Sequence, residues 1–255
     1  MRAPALPLAA PLLAAAILAA PLAARSLAAQ TASPERPRTD RGAMMPADHD
    51  VAAAGGGLQV PGWAARFDRA DAKPAQVKFT RMGGGYHVTS GPAAVYYPAR
   101  SAAPGGSYTV RASFTQTKAP AHPEAYGLFA GGRDLQGAAP SYVYFVVRGD
   151  GKYLVKRRAN AADVRTLVDW TASPALKPAG PDGKATNALE IRVAADSVRF
   201  VANGTPVAAV SRAEAGPLDG AAGFRVNHNL DVHVDGFAVA GAAGGAGRPP
   251  ARGRA

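Results

Sequence analysis

The sequence predicts an all-β domain built from two packed antiparallel sheets. Apolar and polar residues alternate along many short segments, and Gly, Pro, Asn and Asp separate these segments. The apolar spacing of an amphipathic helix of ten or more residues is not found in any window of the sequence. Many short strands with turns between them indicate a sandwich or barrel, and the number of strands favours a two-sheet jelly roll.

Two segments show the alternation most clearly. The segments "SYTVRASFTQT" (107–117) and "ALEIRVAA" (188–195) place apolar residues at every second position, which is the pattern of a half-buried strand. The less regular segments predict further strands at about 76–82, 84–90, 93–98, 125–131, 163–170, 220–228 and 230–240. The segment 197–210 carries Asn203-Gly204 between two apolar runs, which predicts a hairpin with a type I′ turn.

A second hairpin is predicted in "VYFVVRGDGKYLVKRR" (143–158). A two-residue loop would mix apolar and cationic residues on both faces, whereas a three-residue loop at 149–151 separates them. The inward set is then Val143, Phe145, Val147, Tyr153 and Val155, with Arg157 opposite Val143. The outward set is Tyr142, Tyr144, Val146, Arg148, Lys152, Leu154, Lys156 and Arg158. We therefore interpret the Arg-Gly-Asp triplet as a turn and expect exposed tyrosines and cations beside it.

The ends of the chain predict export. Residues 1–30 have an early Arg, a proline-interrupted apolar run and small residues after it, as in a cleaved signal peptide. An uncleaved anchor is the alternative; after cleavage, no membrane span is expected. Residues 31–57 resemble a flexible linker, 58–240 the sandwich domain, and 241–255 a disordered basic tail. With no cysteine, a hydrophobic core must hold the domain together. We expect a periplasmic or extracellular location.

The order and spacing of four segments resemble a known group of proteins. These are the hairpin above, "LVDWTASPAL", "NALEIRVAADSVRFVANGTPV" and "GAAGFRVNHNLDVHVDGFAV". They are similar to bacterial secreted domains of the concanavalin A-like lectin/glucanase superfamily, in particular to 3-keto-disaccharide hydrolase-like domains. The resemblance covers roughly residues 60–240 and implies a jelly roll with a concave face that meets carbohydrate. Because it consists of strands and turns without a catalytic signature, it does not assign an activity.

Known catalytic motifs are absent. Retaining glycosidases of this fold need paired carboxyl groups about 5 Å apart. The chain has only Glu35, Glu124, Glu190 and Glu214, and none has an acidic partner at the required sequence spacing. The sequence contains no nucleophile elbow, no zinc-protease motif and no phosphate loop. The sequence therefore favours a non-catalytic domain, and we predict no cofactor and no bound metal.

The first hypothesis is a lectin-like module for a polysaccharide or an anionic glycan. Tyr142 and Tyr144 would stack on sugar rings, and the neighbouring polar and cationic side chains would donate hydrogen bonds. The segment 121–135 is either a rim loop of the binding face or an ordinary connection. The complete set of predicted ligand-binding residues is Tyr126, Arg133, Tyr142, Tyr144, Arg148, Lys156, Arg158 and Asn227.

The alternative is a glycoside-cleaving enzyme that uses His122, Asp231 and His233. Alternation in 224–237 places Asp231, His233 and Asp235 on one side of a strand, where they form either a metal-binding row or, as we favour, a solvated face. The net charge of +11 also suits nucleic acid, but the sequence shows no nucleic-acid-binding motif and the predicted export disfavours it. The sequence does not indicate an oligomeric state.

Overall fold

A computed structural model describes residues 49–100, 103 and 105–241. The predicted signal peptide, the linker up to residue 48 and the predicted tail beyond Gly241 lie outside these residues. In the described part of the chain, no helix has the length and apolar character needed to cross a membrane.

The described residues form a nearly all-β domain. Its only helical segments are a 3₁₀ turn at Pro74–Gln76 and one α-helical turn, α1, at Arg212–Ala215. The strands are β1 Gly57–Leu58, β2 Trp63–Phe67, β3 Lys78–Met82, β4 Gly85–Thr89, β5 Ala94–Pro98, β6 Tyr108–Gln116, β7 Ala125–Arg133, β8 Ser141–Arg148, β9 Lys152–Arg158, β10 Val164–Ala172, β11 Ala185–Val193, β12 Ser197–Ala202, β13 Thr205–Ser211, β14 Ala221–Val226 and β15 Asp231–Gly241.

These strands form two sheets. The eight-stranded sheet has the order β1-β3-β4-β15-β6-β11-β12-β13, and the seven-stranded sheet has the order β10-β9-β8-β7-β14-β5-β2. All neighbours are antiparallel except the short pair β1 and β3. Long-range pairs such as β15 with β6 join distant parts of the chain. This arrangement confirms the predicted two-sheet jelly-roll sandwich.

The core lies between the sheets and is formed by the inward residues of the alternating strands. In β6, Val110, Ala112 and Phe114 are buried while Arg111 between them is exposed. The same alternation runs along β11 and the first half of β15. Burial of apolar surface stabilises a fold by about 25 cal/mol per Å², so this continuous cluster is the main source of cohesion in a domain without disulfides.

Both predicted hairpins are confirmed. Asn203 and Gly204 have φ angles of 49° and 83°, which are the two positive values of a type I′ turn. In the other hairpin, Val147 pairs with Tyr153 and Tyr144 with Lys156, as the three-residue loop requires. Gly151 has a φ of 76°, a conformation that glycine adopts without steric cost.

Strands β1 and β2 are not among the strands that the alternation of apolar and polar residues predicts. Residues 49–57, placed in the predicted linker, lie against the sandwich: the Val51 amide donates to Asn229 Oδ1 (2.8 Å), and β1 pairs with β3. Strand β2 reads "WAARF", and all five of its residues are half-buried. The alternation is therefore weak in β2, because its small alanines and long amphipathic side chains do not separate into an apolar and a polar face.

Candidate functional site

The outer face of the seven-stranded sheet, meaning the side that points away from the other sheet, carries a second hydrophobic cluster. Seven of its nine buried members form what we call the aromatic floor: Val95, Tyr97, Phe129, Tyr142, Tyr144, Val146 and Leu154. These positions alternate with core residues of the same strands; Tyr144, for example, lies between Val143 and Phe145. An outer sheet face is usually solvated, so a buried apolar layer there needs something to cover it.

Arginines cover this floor. Register pairing places three aliphatic floor residues, a glycine and two arginines in one row across six strands: Leu154, Val146, Gly127, Arg225, Val95 and Arg66. The Arg225 guanidinium lies 4.9 Å from the Tyr144 ring centroid. The Arg158 guanidinium lies 5.8 Å from the Tyr142 centroid, and its Nε donates to Tyr142 Oη (3.1 Å). Guanidinium groups favour the electron-rich face of an aromatic ring.

Asp68 is the carboxylate that neutralises this arginine layer. Arg225 Nη1 donates to Asp68 Oδ1 (3.1 Å) and Arg225 Nη2 to Asp68 Oδ2, which makes a two-pronged pair. The Arg225 side chain is only 7% exposed. Burial alone would raise the pKa of Asp68, but Arg225 and Arg158 outweigh burial and lower it. Burial likewise disfavours the charge on Arg225, and the Asp68 carboxylate more than compensates, so the pKa of Arg225 is raised.

The same carboxylate shows that the outer face is concave. Arg158 on β9 lies 3.5 Å from Asp68, which directly follows β2. Four strands, β8, β7, β14 and β5, separate β9 from β2 in the sheet. Strands are spaced about 4.8 Å apart, so these two side chains would be out of reach on a flat sheet. The sheet therefore curves into a groove, and Asp68 bridges its two sides.

A pocket of about 400 Å³ lies at this groove. Arg66, Asp68 and Arg69 line it from the β2 side, and Gln136 and Ala161 line it from the loops that follow β7 and β9. Arg66 Nη1 donates to the carbonyls of Gly137 (2.6 Å) and Leu135 (3.4 Å), which fixes the loop after β7 over the floor. The pocket thus exposes guanidinium groups beside a single bridging carboxylate.

The predicted exposure of the tyrosines is wrong. Tyr142 and Tyr144 lie on the outer face as predicted, but they are only 2% and 7% exposed. Alternation identifies the face of a strand, but it does not show whether long side chains from neighbouring strands cover that face. The rings form the base of the groove, so a ligand meets the arginines first.

The other predicted ligand-binding residues separate into two groups. Arg148, Lys156 and Asn227 lie on or beside the groove; Asn227 Oδ1 accepts from Arg225 Nε (3.1 Å), and Lys156 pairs in register with Tyr144. Tyr126 instead points into the core, fully buried against Phe114. Arg133 lies at the end of β7 and pairs with the exposed Asp219. A bulge in the β7–β8 pairing before Arg133 explains why simple alternation does not place it.

The Arg-Gly-Asp triplet is a turn whose charged ends pair with each other. Arg148 donates to Asp150 through Nη2 (2.6 Å) and Nε (3.2 Å). The Arg148 guanidinium also lies 4.1 Å from the ring centroid of Trp170 on β10. Both charged side chains of the triplet are therefore engaged within the protein.

The alternative catalytic residues lie apart from this groove. Asp231 and His233 are on the outer face of the eight-stranded sheet, where Asp231 contacts His87 Nε2 (3.0 Å) and accepts from the hydroxyls of Thr89 and Thr117. His233 Nε2 lies 3.1 Å from Asp235. His122 is exposed, and within the described residues no hydrogen bond joins it to either of them. The described side chains also contain no cluster of three or more His, Cys, Asp or Glu that could hold a metal.

Three groove residues, Arg66, Asp68 and Arg225, are not among the predicted ligand-binding residues. Arg225 lies between the buried Phe224 and Val226, so alternation in the predicted strand 220–228 already places it on the outer face. Arg66 and Asp68 were missed because β2 was not recognised as a strand. The pairing of Asp68 with two arginines depends on the curvature of the sheet, which no local pattern shows.

Comparison with known proteins supports the fold. The chain is similar in structure to a carbohydrate-binding module, CBM66, from Bacillus subtilis (TM-score 0.52, 11% identity, 70% of this chain and 95% of that one). It is equally similar to a Bacillus subtilis protein of unknown function with a galectin-like fold (TM-score 0.52, 14% identity, 72% and 93%). An alginate lyase, A1-II′, shares a lower TM-score of 0.47 at 12% identity, covering 76% and 96% of the two chains. This score is too low to support an inference.

No family model matches the chain, and no curated protein does. The structural neighbours therefore support the jelly-roll fold alone, and the resemblance to the concanavalin A-like superfamily and its 3-keto-disaccharide hydrolase-like domains stays a prediction.

Proposed function

We propose that the protein is a lectin-like domain that binds an acidic polysaccharide in the groove of its seven-stranded sheet. This proposal rests on the excess positive charge of the groove, which lies above the buried aromatic floor. The cationic side chains on this face are Arg66, Arg148, Lys152, Lys156, Arg158 and Arg225, and among the described residues the carboxylates that form ion pairs with them are Asp68 and Asp150. A curved surface with excess positive charge attracts and orients anionic polymers.

The arrangement of the guanidinium groups suits carboxylates or sulfates. Arginine presents its N–H groups as a planar fork that matches the two oxygens of such an anion. Asp68 shows this geometry within the protein, since its carboxylate already binds Arg225 through two hydrogen bonds. Lys156 adds a half-buried ammonium with no hydrogen bond or ion pair among the described residues. A sugar acid bound in the groove would therefore contact cations that packing already holds in place.

Binding of polymers to the full chain tests this proposal. Polygalacturonate, alginate, a sulfated glycan and the neutral polymers levan and laminarin would be compared by isothermal titration calorimetry. We expect the acidic polymers to bind and the neutral ones not to bind, with an affinity that falls as salt is raised, because exposed charge pairs are screened. Absence of binding to every acidic polymer would contradict the proposal.

Two charge reversals locate the site. Lys156→Glu places a negative charge in the groove, and we expect it to weaken acidic-polymer binding by about tenfold or more. Arg199→Glu is the matched control, because Arg199 is an exposed cation of β12 in the eight-stranded sheet, and it also has no hydrogen bond or ion pair among the described residues. Equal losses in the two variants would show that the net charge of the protein is responsible instead of the groove.

Glycoside cleavage by His122, Asp231 and His233 remains the second prediction. The contacts within the described residues do not favour it, because Asp231 and His233 lie on the other sheet and His122 is solvent-exposed. Incubation of the same polymers, and of keto-disaccharides, with the parent chain would detect reducing-end release if the activity exists.

A further inference from the structure

A second pocket lies at one end of the sandwich, and we call it the end pocket. It has a volume of about 300 Å³, at the lower end of the range of about 300–1,000 Å³ that small-molecule sites occupy. Pro120, Pro123 and Ala179 contribute apolar wall, and the polar side chains in its lining are Gln116, Glu124 and Asp150. The pocket therefore combines apolar walls with a few converging polar groups.

Gln116, at the end of β6, has an unused hydrogen-bond acceptor. Its side chain is 1% exposed, and its Nε2 donates to the Gly183 carbonyl (2.7 Å). This bond fixes the amide orientation, because a carbonyl cannot accept from Oε1. Gln116 Oε1 is buried and has no hydrogen-bond partner. A buried acceptor without a partner costs about 1–3 kcal/mol, so it calls for a donor from outside the described chain.

The hairpin loop after β8 closes against this amide. A Cβ added at Gly149 would lie 3.2 Å from both Gln116 Oε1 and Nε2 and 3.3 Å from the Ala179 Cβ. Glycine at 149 therefore leaves this part of the lining free of a side chain. The φ of Gly149 is not in the left-handed region, so the backbone itself would accept alanine.

Two carboxylates belong to the same lining, and each already contacts protein side chains; Asp150, for example, also lies 3.8 Å from the Lys152 ammonium. Glu124 accepts from Asn227 Nδ2 (3.2 Å) and lies 2.7 Å from His228 Nε2, which fixes its position at the start of β7. Asp150 is held by Arg148 (2.6 Å). Burial would raise the pKa of Asp150, but Arg148 and Lys152 outweigh burial and lower it, so this carboxylate is ionised at neutral pH. The polar side chains of the lining thus all provide oxygen acceptors.

We propose that the end pocket binds a small amino sugar through its primary ammonium group. An ammonium group has three donors, and the acceptors in this lining are the unpartnered Gln116 Oε1 and the carboxylates of Glu124 and Asp150. The proline and alanine walls would contact the apolar face of the sugar ring. The end pocket and the acidic-polymer groove share Asp150, which pairs with the groove cations Arg148 and Lys152, but they select opposite charges on their ligands.

Three related sugars test the proposal on the full chain. Glucosamine, N-acetylglucosamine and glucose share a pyranose ring, but only glucosamine carries an ammonium group. Saturation-transfer NMR and calorimetry should show saturable binding of glucosamine and affinities about tenfold or more weaker for the other two, because both lack the charged donor. Equal affinity for glucose and glucosamine, or no saturable binding of glucosamine, would overturn the proposal.

Variants assign the binding to the end pocket. Asp150→Asn and Gly149→Ala should each weaken glucosamine binding by about tenfold, the first by removing charge and the second by narrowing the lining. Asp182→Asn is the matched control, because Asp182 is an exposed carboxylate on the neighbouring loop and lies outside the lining. An unchanged affinity in Asp150→Asn would refute the site even if Gly149→Ala failed to fold. Acidic-polymer binding of Gly149→Ala, measured in parallel, would report separately on the groove, whereas Asp150→Asn also releases the groove cation Arg148 from its carboxylate.

Discussion

The two sheets of the sandwich have very different outer faces. On the seven-stranded sheet, the outward residues form a buried aromatic floor under a layer of arginines. On the eight-stranded sheet, the outward residues of β6 and β11 are mainly small, hydroxylated or charged, as in Thr109, Arg111, Thr186 and Arg192, and none of these four is buried. Both sheets use the same alternation, so the difference lies in what covers each face.

This difference indicates that curvature of the seven-stranded sheet makes its outer face into the candidate binding groove. On the seven-stranded sheet the strands bend until Arg158 and Asp68 meet across four intervening strands. The ion pair between these two side chains encloses the apolar side chains of the aromatic floor, which would face solvent on a flat sheet. The acidic residues of the two faces therefore have different environments, and three measurements can test this comparison.

The largest effect is expected from Asp68→Ala. This substitution leaves the buried Arg225 guanidinium without its carboxylate, and breaking one side of a buried pair costs about 3–5 kcal/mol. Asp231→Ala on the other sheet removes a carboxylate whose partners are hydroxyls, His87 and an exposed Lys118, so we expect about 1–2 kcal/mol. Urea unfolding measures both losses in the free energy of unfolding.

The control for this pair is Asp71→Ala. Asp71 is 69% exposed and pairs with the exposed Arg69, so solvent screens this pair and its loss should leave the free energy of unfolding essentially unchanged. Equal losses for Asp68→Ala and Asp231→Ala would contradict the difference that we infer between the two faces.

An intermediate effect is expected from Gly127→Ala. Gly127 lies in the central row of the groove, and a Cβ there would overlap the backbone carbonyl of Phe145 on β8. Overpacking against backbone costs about 1–3 kcal/mol, because the sheet must move to relieve it. Gly84→Ala is the control, since a Cβ at Gly84 meets no atom within 4 Å. Thermal unfolding of the two variants should show a lower Tm only for Gly127→Ala.

The smallest effect is the dependence of stability on pH. Burial lowers the pKa of His87 below 6.5, with Asp231 opposing this shift and His233 and Lys78 adding to it. The unfolded chain therefore binds this proton more tightly, so stability falls as pH drops below about 6.5. The pKa of Asp68 is lowered from 3.8, so its contribution is present above that pH and is lost only as pH falls below it.

Two variants separate these pH ranges. His87→Gln should flatten the loss of stability that begins near pH 6.5, and Asp68→Asn should flatten only the loss below about pH 4. Unfolding free energies measured between about pH 8 and pH 3 test both expectations. If the slope near pH 6 survived in His87→Gln, another group would have to be responsible for it.

Local patterns predicted much of this fold because they act over a few residues. The hairpin at Asn203-Gly204 and the register of Tyr144 opposite Lys156 follow from turn chemistry and from burial of one face. Strand β2 was missed, since its small and amphipathic residues carry little alternation. The outward side of Tyr142 was correct but its exposure was not, because a residue from another strand, Arg158, covers the ring.

The sequence by itself determined the all-β class, most strands and the faces of their side chains, since these depend on the two-residue period of a strand. Only the tertiary structure decided that Asp68 joins Arg225 and Arg158, and that Gln116, Glu124 and Asp150 line one pocket. These groups are far apart in the chain, and their distances depend on the curvature of a sheet and on the packing of loops. Neither property is encoded within any short segment.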